Sequence, residues 1–348
     1  MKIKKTVIFS GIIFFIIVAF SLFDLFIAYP YSPQNGSFED VLISINKGEG
    51  PRIISDKLEK NKIINSAYKF SLWIRFSKKI PRLRAGDFVL RGDMTPLEIF
   101  NTLSNVSSSK GIRVTIPEGF TIDKISRLFD EMELVSYGDF IKAATDPLLL
   151  AELKVEAPSF EGFLFPDTYY FFKDVTSQTI IKKMNSLFKK KFKSIEGSET
   201  KDMLKTVTLA SIVQAEAKIM EEAPIIAGVY TNRLDKKIFP SLLLQADPTV
   251  SYGCNQLVKD RSPVCLSFLG KLTRRELKDK KNIYNTYVHK GLPPGPICSP
   301  GKDALKAAIH PKKVPYIFFV ASKNGHHKFS TTLKQHNIAV KKYIKKLD

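Results

Sequence analysis

The chain has 348 residues, 44% of them hydrophobic, and carries 54 Lys and Arg against 34 Asp and Glu, a formal net charge of +20. That length allows about two domains and the apolar fraction suffices for real cores, which excludes a chain disordered from end to end. A cation surplus of this size attracts polyanions (nucleic acid, anionic lipid or an anionic cell-wall polymer), and charge alone does not choose among them.

Met1–Lys5 is a short basic tail. Thr6–Phe23 then runs without a charge, Asp24 interrupts it, and Leu25–Tyr29 resumes. The run is long enough to span a bilayer and longer than a signal-peptide core. Thr6–Ala28 is therefore expected to be a single membrane-spanning helix, residues 1–5 a cytoplasmic tail, and residues 29–38 (with PYSPQNG) a linker. The lysines before the span predict a cytoplasmic N-terminus and a body outside the cytoplasm. Ala28 is small enough for a cleavage site, but no A-x-A pattern accompanies it. An exported body argues against nucleic acid as a partner.

Val41–Ile45 alternates like a strand, Pro51–Asn61 and Asn65–Phe76 read as helices, Gly86–Leu90 as a strand, and Thr95 caps a helix with Pro96 at its first position. The stretches RGDMTPLEIFNTL and PEGFTIDKISRLF, and more loosely KGEGPRIISDKL, echo one template of turn, cap and short helix. Such units suit a carbohydrate-binding module and equally suit ordinary α+β structure. Ser104–Gly111 is a Ser-rich boundary. Ser107–Lys110 and Ser186–Lys189 match S-x-x-K without the companion motifs of acyl-serine enzymes. Beyond it come a strand at Gly111–Ile116, helices at Thr121–Glu133 and Tyr137–Ala144, and the aromatic stretch PSFEGFLFPDTYY with Glu161 and Asp167, readable as sugar-binding surface or as core. A long helix over Thr176–Phe192 ends in lysines.

Thr206–Met220 reads as one amphipathic helix whose apolar face holds Leu209, Ile212, Val213, Ala217 and Met220. Glu216 falls on that apolar stripe. A carboxylate there finds a partner, shifts its pKa or does chemistry, so it is either a core glutamate paired with a nearby Arg or Lys or a general acid held protonated by an apolar wall. A further helix over Pro224–Leu234 carries Asn232 and Arg233. Gln245–Tyr252 sets polar groups around Asp247-Pro248, where Asp247 is also a candidate turn former. Gly253–Lys271 reads as an extended loop, NTY and GLPPG as rigid turns, Pro300–His310 as a helix, Tyr316–Ala321 as a strand, and Phe329–Lys345 as a strand end and terminal helix. Cys254, Cys265 and Cys298 show no C-x-x-C spacing. A disulfide is permitted outside the cytoplasm, with Cys254–Cys265 flanking one loop and Cys298 able to replace either. The five histidines form no ligand helix, so no metal and no cofactor is expected.

The blocks IPEGFTIDKI, FEGFLFPDTYYF, LASIVQAEA, AGVYTNRL, LLQADPTVSYG, NTYVHKGLPPGPICSPGKDALKAAIHP and FVASKNGHHKFSTTLKQHN stand in this order over Gly111–Tyr343. Together they resemble the YceG-like (MltG) endolytic murein transglycosylases. The resemblance implies an α+β fold: the N-terminal transmembrane helix, a small LysM-like β/α module over 39–106, and an α+β YceG-like catalytic domain over 111–348. It implies that Glu216, the last Glu of the family's A-S-I-V-E-x-E segment, is the catalytic acid. The earlier Glu of that segment is Gln214 here, on the opposite helix face, and the family's Q-T-D-P-T stands as Q-A-D-P-T with Ala246. Gln245, Asp247, Thr249, Tyr252, Asn285, Tyr287 and Asn232 are implied to line the groove. The implied substrate is peptidoglycan. One carboxyl cleaves the bond between N-acetylmuramic acid (MurNAc) and N-acetylglucosamine (GlcNAc), aided by the C6 hydroxyl of MurNAc, and leaves 1,6-anhydro ends that terminate nascent strands. Proteins of the cell-wall synthesis machinery are the implied partners. The competing reading is a non-catalytic, membrane-anchored peptidoglycan-binding protein.

Overall fold

The computed structural model describes residues 15–16, 18–34, 40–46, 48–77, 83–104, 112–171, 175–255 and 261–343. The basic tail, much of the apolar run and the S-x-x-K match at 107–110 lie outside the described residues. Among the described residues no helix is long and apolar enough to cross a membrane. The chain divides into two compact units, one of Met1–Val114 with Tyr169–Lys173 and one of Thr115–Thr168 with Asp174–Asp348.

In the first unit, β1 (Val41–Ile45) runs antiparallel to β2 (Gly86–Leu90), with Val41 opposite Leu90 and Ile45 opposite Gly86. Alternation along β1 buries Ile43 and Ile45. Between the strands lie α1 (Pro51–Lys60) and α2 (Ala67–Phe76), the second capped by Ser66. α3 (Pro96–Ser104) opens on a capping box in which Thr95 and Glu98 exchange hydrogen bonds. Trp73 is buried at the centre of the core, edge-on to Tyr29 and Phe100. A separate two-stranded sheet pairs β3 (Ile112–Thr115) with β4 (Thr168–Phe171).

The second unit carries α4 (Ile122–Glu131), α5 (Tyr137–Ala144), α6 (Pro147–Glu152), α7 (Ser177–Lys193), α8 (Met203–Glu216), α9 (Ala223–Leu234), α10 (Asp247–Asn255), the short α11 (Pro263–Leu266) and α12 (Arg274–Leu277), α13 (Lys302–Ile309) and α14 (Leu333–Tyr343). The hairpin β5 (Phe318–Ala321) and β6 (His327–Ser330) pairs Phe318 with Ser330 and Ala321 with His327. This mixed, helix-rich architecture is the expected α+β class. α6 and β4 were not foreseen, and the stretch read as an extended loop contains the end of α10 and all of α11.

α8 departs most from its sequence reading. Asp202 caps it by accepting from the Lys205 N–H. Thr206–Val213 are then buried on every side, so the helix is a core element and not an amphipathic one. Its polar positions are satisfied by the segment Ile297–Gly301: the Ile297 N–H donates to Ser211 Oγ at 3.0 Å, and the Gly301 N–H to Gln214 Oε1 at 2.9 Å. The helix also stops at Glu216, where Ala217 turns extended, instead of running to Met220. Pro224 bars a single helix running through α8 and α9: its ring would be driven into the Met220 carbonyl and a backbone hydrogen bond would be lost, so it stands instead in the first turn of α9. α9 packs against both α8 and α13. It runs so close to Lys312 that a Cβ at Gly228 would stand 2.1 Å from that residue's carbonyl oxygen.

Candidate active site

Glu216 is the last residue of α8, and its side chain turns toward α9. The Tyr230 hydroxyl donates to Glu216 Oε1 at 3.1 Å. The glutamate is enclosed by protein on most sides yet keeps part of its surface open. Burial pushes its pKa up to about 7. The Tyr230 hydrogen bond opposes the rise, the negative charge of Asp247 adds to it, and the Arg233 guanidinium opposes it.

Tyr230 is itself buried and set edge-on to Phe319, with ring centroids 5.7 Å apart. Arg233, three residues on and therefore on the same helix face, is also buried. Its Nε donates to the Ile317 carbonyl at 2.7 Å and its Nη1 to the Leu244 carbonyl. The guanidinium lies over the rings of Phe239 and Phe318. These contacts fix a positive charge near Glu216 without closing an ion pair on it.

Asp247 opens α10 and is exposed; its Oδ1 accepts from the Tyr287 hydroxyl at 2.5 Å. Burial raises the Tyr287 pKa, and the Asp247 hydrogen bond adds to the rise. Gln245 sits just before, in the left-handed region at φ +52°, with its N–H bonded to the Thr286 carbonyl and its side chain exposed. Glu216, Asp247, Tyr287 and Gln245 thus fall in one neighbourhood, with Tyr230 and Arg233 behind them.

The other implied groove residues are buried, or in the case of Asn232 half-buried. Thr249 is buried and donates to the Ala246 carbonyl at 2.7 Å. Tyr252 is buried and donates to Glu161 Oε2 at 3.1 Å. Asn285 is buried, and its Nδ2 serves the carbonyls of Glu276, Leu277 and Asp279 around α12. Asn232 donates to the carbonyls of Val314 and Tyr316. All four satisfy buried or half-buried polar groups of the scaffold. Glu161, readable as a surface acid, is also buried: both its oxygens accept from the Ile122 N–H at the start of α4, each at 3.2 Å. Burial pushes its pKa up to about 8 against the pull of these hydrogen bonds. The next residue, Gly162, has φ +81°, and a Cβ there would lie 2.4 Å from Pro296.

The roles of Tyr230 and Arg233 were missed by sequence reasoning. Their i, i+3 spacing on a helix was the available signal, but their partners lie on other elements. Cys254 and Cys265 form a disulfide, which settles the open pairing, and Cys298 is a buried free thiol. A cavity of about 810 Å³, lined by residues such as Ser136, Asp139, Asp146 and Thr176, includes none of the residues around Glu216. A half-enclosed carboxyl with a pKa near neutrality can both give and take a proton at physiological pH.

The sequence profile of the YceG-like family matches residues 43–342. A Bacillus subtilis (strain 168) protein named endolytic murein transglycosylase is 31% identical over 330 residues, covering 89% of this chain and 87% of that protein. A Streptococcus pneumoniae (strain D39) protein of the same name is 26% identical over 316 residues, covering 81% of this chain and 54% of the relative, so the chain spans about half its length. The crystal structure of a YceG-like protein from Listeria monocytogenes is similar with a TM-score of 0.55 at 30% identity, covering 86% of this chain and 99% of that one.

Proposed function

The chain belongs to the YceG-like family, and from that premise we propose that it is an endolytic lytic transglycosylase of peptidoglycan with Glu216 as its single acid–base. The observation that carries this reading is the Glu216 carboxyl: part-open, bonded at one oxygen only by Tyr230, with a pKa of about 7. Held protonated, it gives its proton to the glycosidic oxygen leaving with GlcNAc. The bond from that oxygen to MurNAc C1 breaks, and positive charge develops on the ring. Glu216, now ionised, takes the proton of the MurNAc C6 hydroxyl as that oxygen closes on C1. The product is a 1,6-anhydro end, and no water is consumed. A hydrolase would need a second carboxylate to activate water or attack C1.

Tyr230 holds Oε1 and so orients the carboxyl with Oε2 free for the proton. Asp247 favours the protonated form of Glu216 before cleavage, and Arg233 offsets the carboxylate charge after it. Asp247, Tyr287 and Gln245 are the groups proposed to meet the sugar. The test is digestion of purified peptidoglycan in ¹⁸O-labelled water. Unlabelled anhydro-muramyl ends are expected; label at a new reducing end marks a hydrolase, and binding without cleavage marks the non-catalytic alternative.

The charge-free Thr6–Phe23 run supports a single-pass anchor in the cytoplasmic membrane over Thr6–Ala28, with the body outside and strand synthesis proteins as partners. The strand–helix–helix–strand order of β1, α1, α2 and β2 supports a LysM-like glycan-binding module within 39–106, ahead of a catalytic domain over 111–348. Retention in the membrane fraction through a carbonate wash is expected; release of a shortened soluble form points to signal cleavage.

A further inference from the structure

We propose that the exposed cations of the segment 261–290, together with Leu266 and Leu269, form a docking surface for the anionic face of a lipid bilayer. The inference does not depend on the chemistry at Glu216.

The segment holds eight cations, Arg261, Lys271, Arg274, Arg275, Lys278, Lys280, Lys281 and Lys290, against two acids, Glu276 and Asp279. Both acids are buried and turned inward. Glu276 accepts from the Thr273 N–H and from Arg275 Nε, and Asp279 accepts from the Ser262 hydroxyl and the Lys281 N–H. The cations other than Arg275 make no ion pair among the described residues, and Lys271, Arg274, Lys278, Lys280 and Lys281 are exposed. The segment therefore shows solvent only its positive charges.

Beside them in sequence stand two leucines that no described residue of the unit covers. Leu266 is 68% exposed and Leu269 96% exposed. A lone exposed leucine means little. Two of them within four residues, with Arg261 and Lys271 on either side in sequence and Arg275 bonded to Ser267 between them, set exposed apolar surface next to exposed cations. The pieces are joined: the Arg275 guanidinium donates to the Val264 carbonyl at 3.5 Å and to Ser267 Oγ at 2.5 Å, tying α12 to the turn that bears Leu266. The Cys254–Cys265 disulfide fastens the base of that turn to the end of α10. Gly270, at φ +87°, turns the chain from Leu269 into Lys271.

Charge complementarity selects an anionic partner, and the leucines select one with an apolar interior beneath its charge. A bilayer with acidic headgroups has both. A soluble polyanion would leave both leucines in water.

The test places a reporter at Leu269. The native chain has one tryptophan, Trp73, which is buried and gives a fixed background. Full-length Leu269→Trp protein is reconstituted in phosphatidylcholine vesicles and in phosphatidylcholine–phosphatidylglycerol vesicles, with and without lipids brominated along the acyl chains. The added emission is expected to shift blue and to be quenched by brominated lipid only where phosphatidylglycerol is present. Adding Lys271→Glu, Arg274→Glu and Lys278→Glu should lower occupancy by on the order of tenfold or more, since each cation near an acidic surface is worth about fivefold. Emission that stays at the water-exposed position and unquenched in the anionic vesicles overturns the proposal. Quenching that survives the triple reversal overturns its electrostatic half.

Discussion

Two glutamates in the second unit are each bonded by a tyrosine hydroxyl at 3.1 Å, and burial pushes both toward or past neutrality, to about 7 for Glu216 and about 8 for Glu161. Their surroundings differ in one respect that matters for chemistry. Glu161 is fully enclosed, with both oxygens bonded to the start of α4 and one also to Tyr252. Glu216 has one bonded oxygen and an open edge. A raised pKa marks a carboxyl removed from water; an unoccupied oxygen within reach of solvent is what lets such a group exchange a proton with a substrate.

The strongest way to break this comparison is to make both acids amides. Glu216→Gln keeps the shape and removes the proton, so turnover of peptidoglycan strands should fall by roughly 10²–10⁴-fold with the fold retained. Glu161→Gln should leave turnover within a few-fold of wild type. Mass spectrometry of anhydro products measures both, and equal losses would erase the distinction.

The tyrosines give a smaller effect. Tyr230→Phe removes a hydrogen bond that lowers the Glu216 pKa, so that pKa should rise further while turnover falls about tenfold from lost orientation. Tyr252→Phe should leave turnover unchanged and cost about 1–3 kcal/mol in stability, because it strips a donor from the buried Glu161. Denaturant midpoints and pH–rate profiles separate the two. A rate loss in Tyr252→Phe without a stability loss would contradict the scaffold role.

The same carboxyls govern stability against pH. A carboxyl whose folded pKa lies above its unfolded value near 4.3 favours the folded state fully below that value, and the contribution is lost as pH rises through the folded pKa. Wild type should therefore lose stability between about pH 4.3 and the values near 7 and 8 of Glu216 and Glu161. Glu161→Gln should flatten that fall more than Glu216→Gln, since Glu161 is the more completely buried. Thermal midpoints from pH 5 to 9 read this directly.

How much of this was legible in the sequence depended on where the deciding contacts lie. Val41–Ile45, Gly86–Leu90 and Tyr137–Ala144 were readable within their own residues because alternation, helical period and caps are local signals. The end of α8 was not, because AKIM continues the apolar period past Glu216 while the chain turns extended at Ala217. Gln245, Asp247, Thr249, Tyr252, Asn285 and Tyr287 look alike as polar residues in turn-rich sequence. Which of them face outward is set by orphan carbonyls and by a carboxyl as far away in sequence as Glu161, 91 residues from Tyr252. Arg233 is the same case, since its Nε reaches a carbonyl 84 residues away.

The smallest expected effect tests the link between Asp247 and Glu216. Asp247→Asn keeps an oxygen for the Tyr287 hydroxyl but removes the negative charge that helps raise the Glu216 pKa. With that charge gone, Glu216 ionises more easily, and the alkaline limb of kcat/KM should move to lower pH by roughly half a unit. The high-pH stability governed by Glu161 should not change, because the charge that adds to its raised pKa is that of Asp123 and not Asp247. A limb that stays in place while kcat falls would show that Asp247 acts by holding substrate and not by its charge on the acid. A limb that moves upward would contradict the assignment of that limb to Glu216.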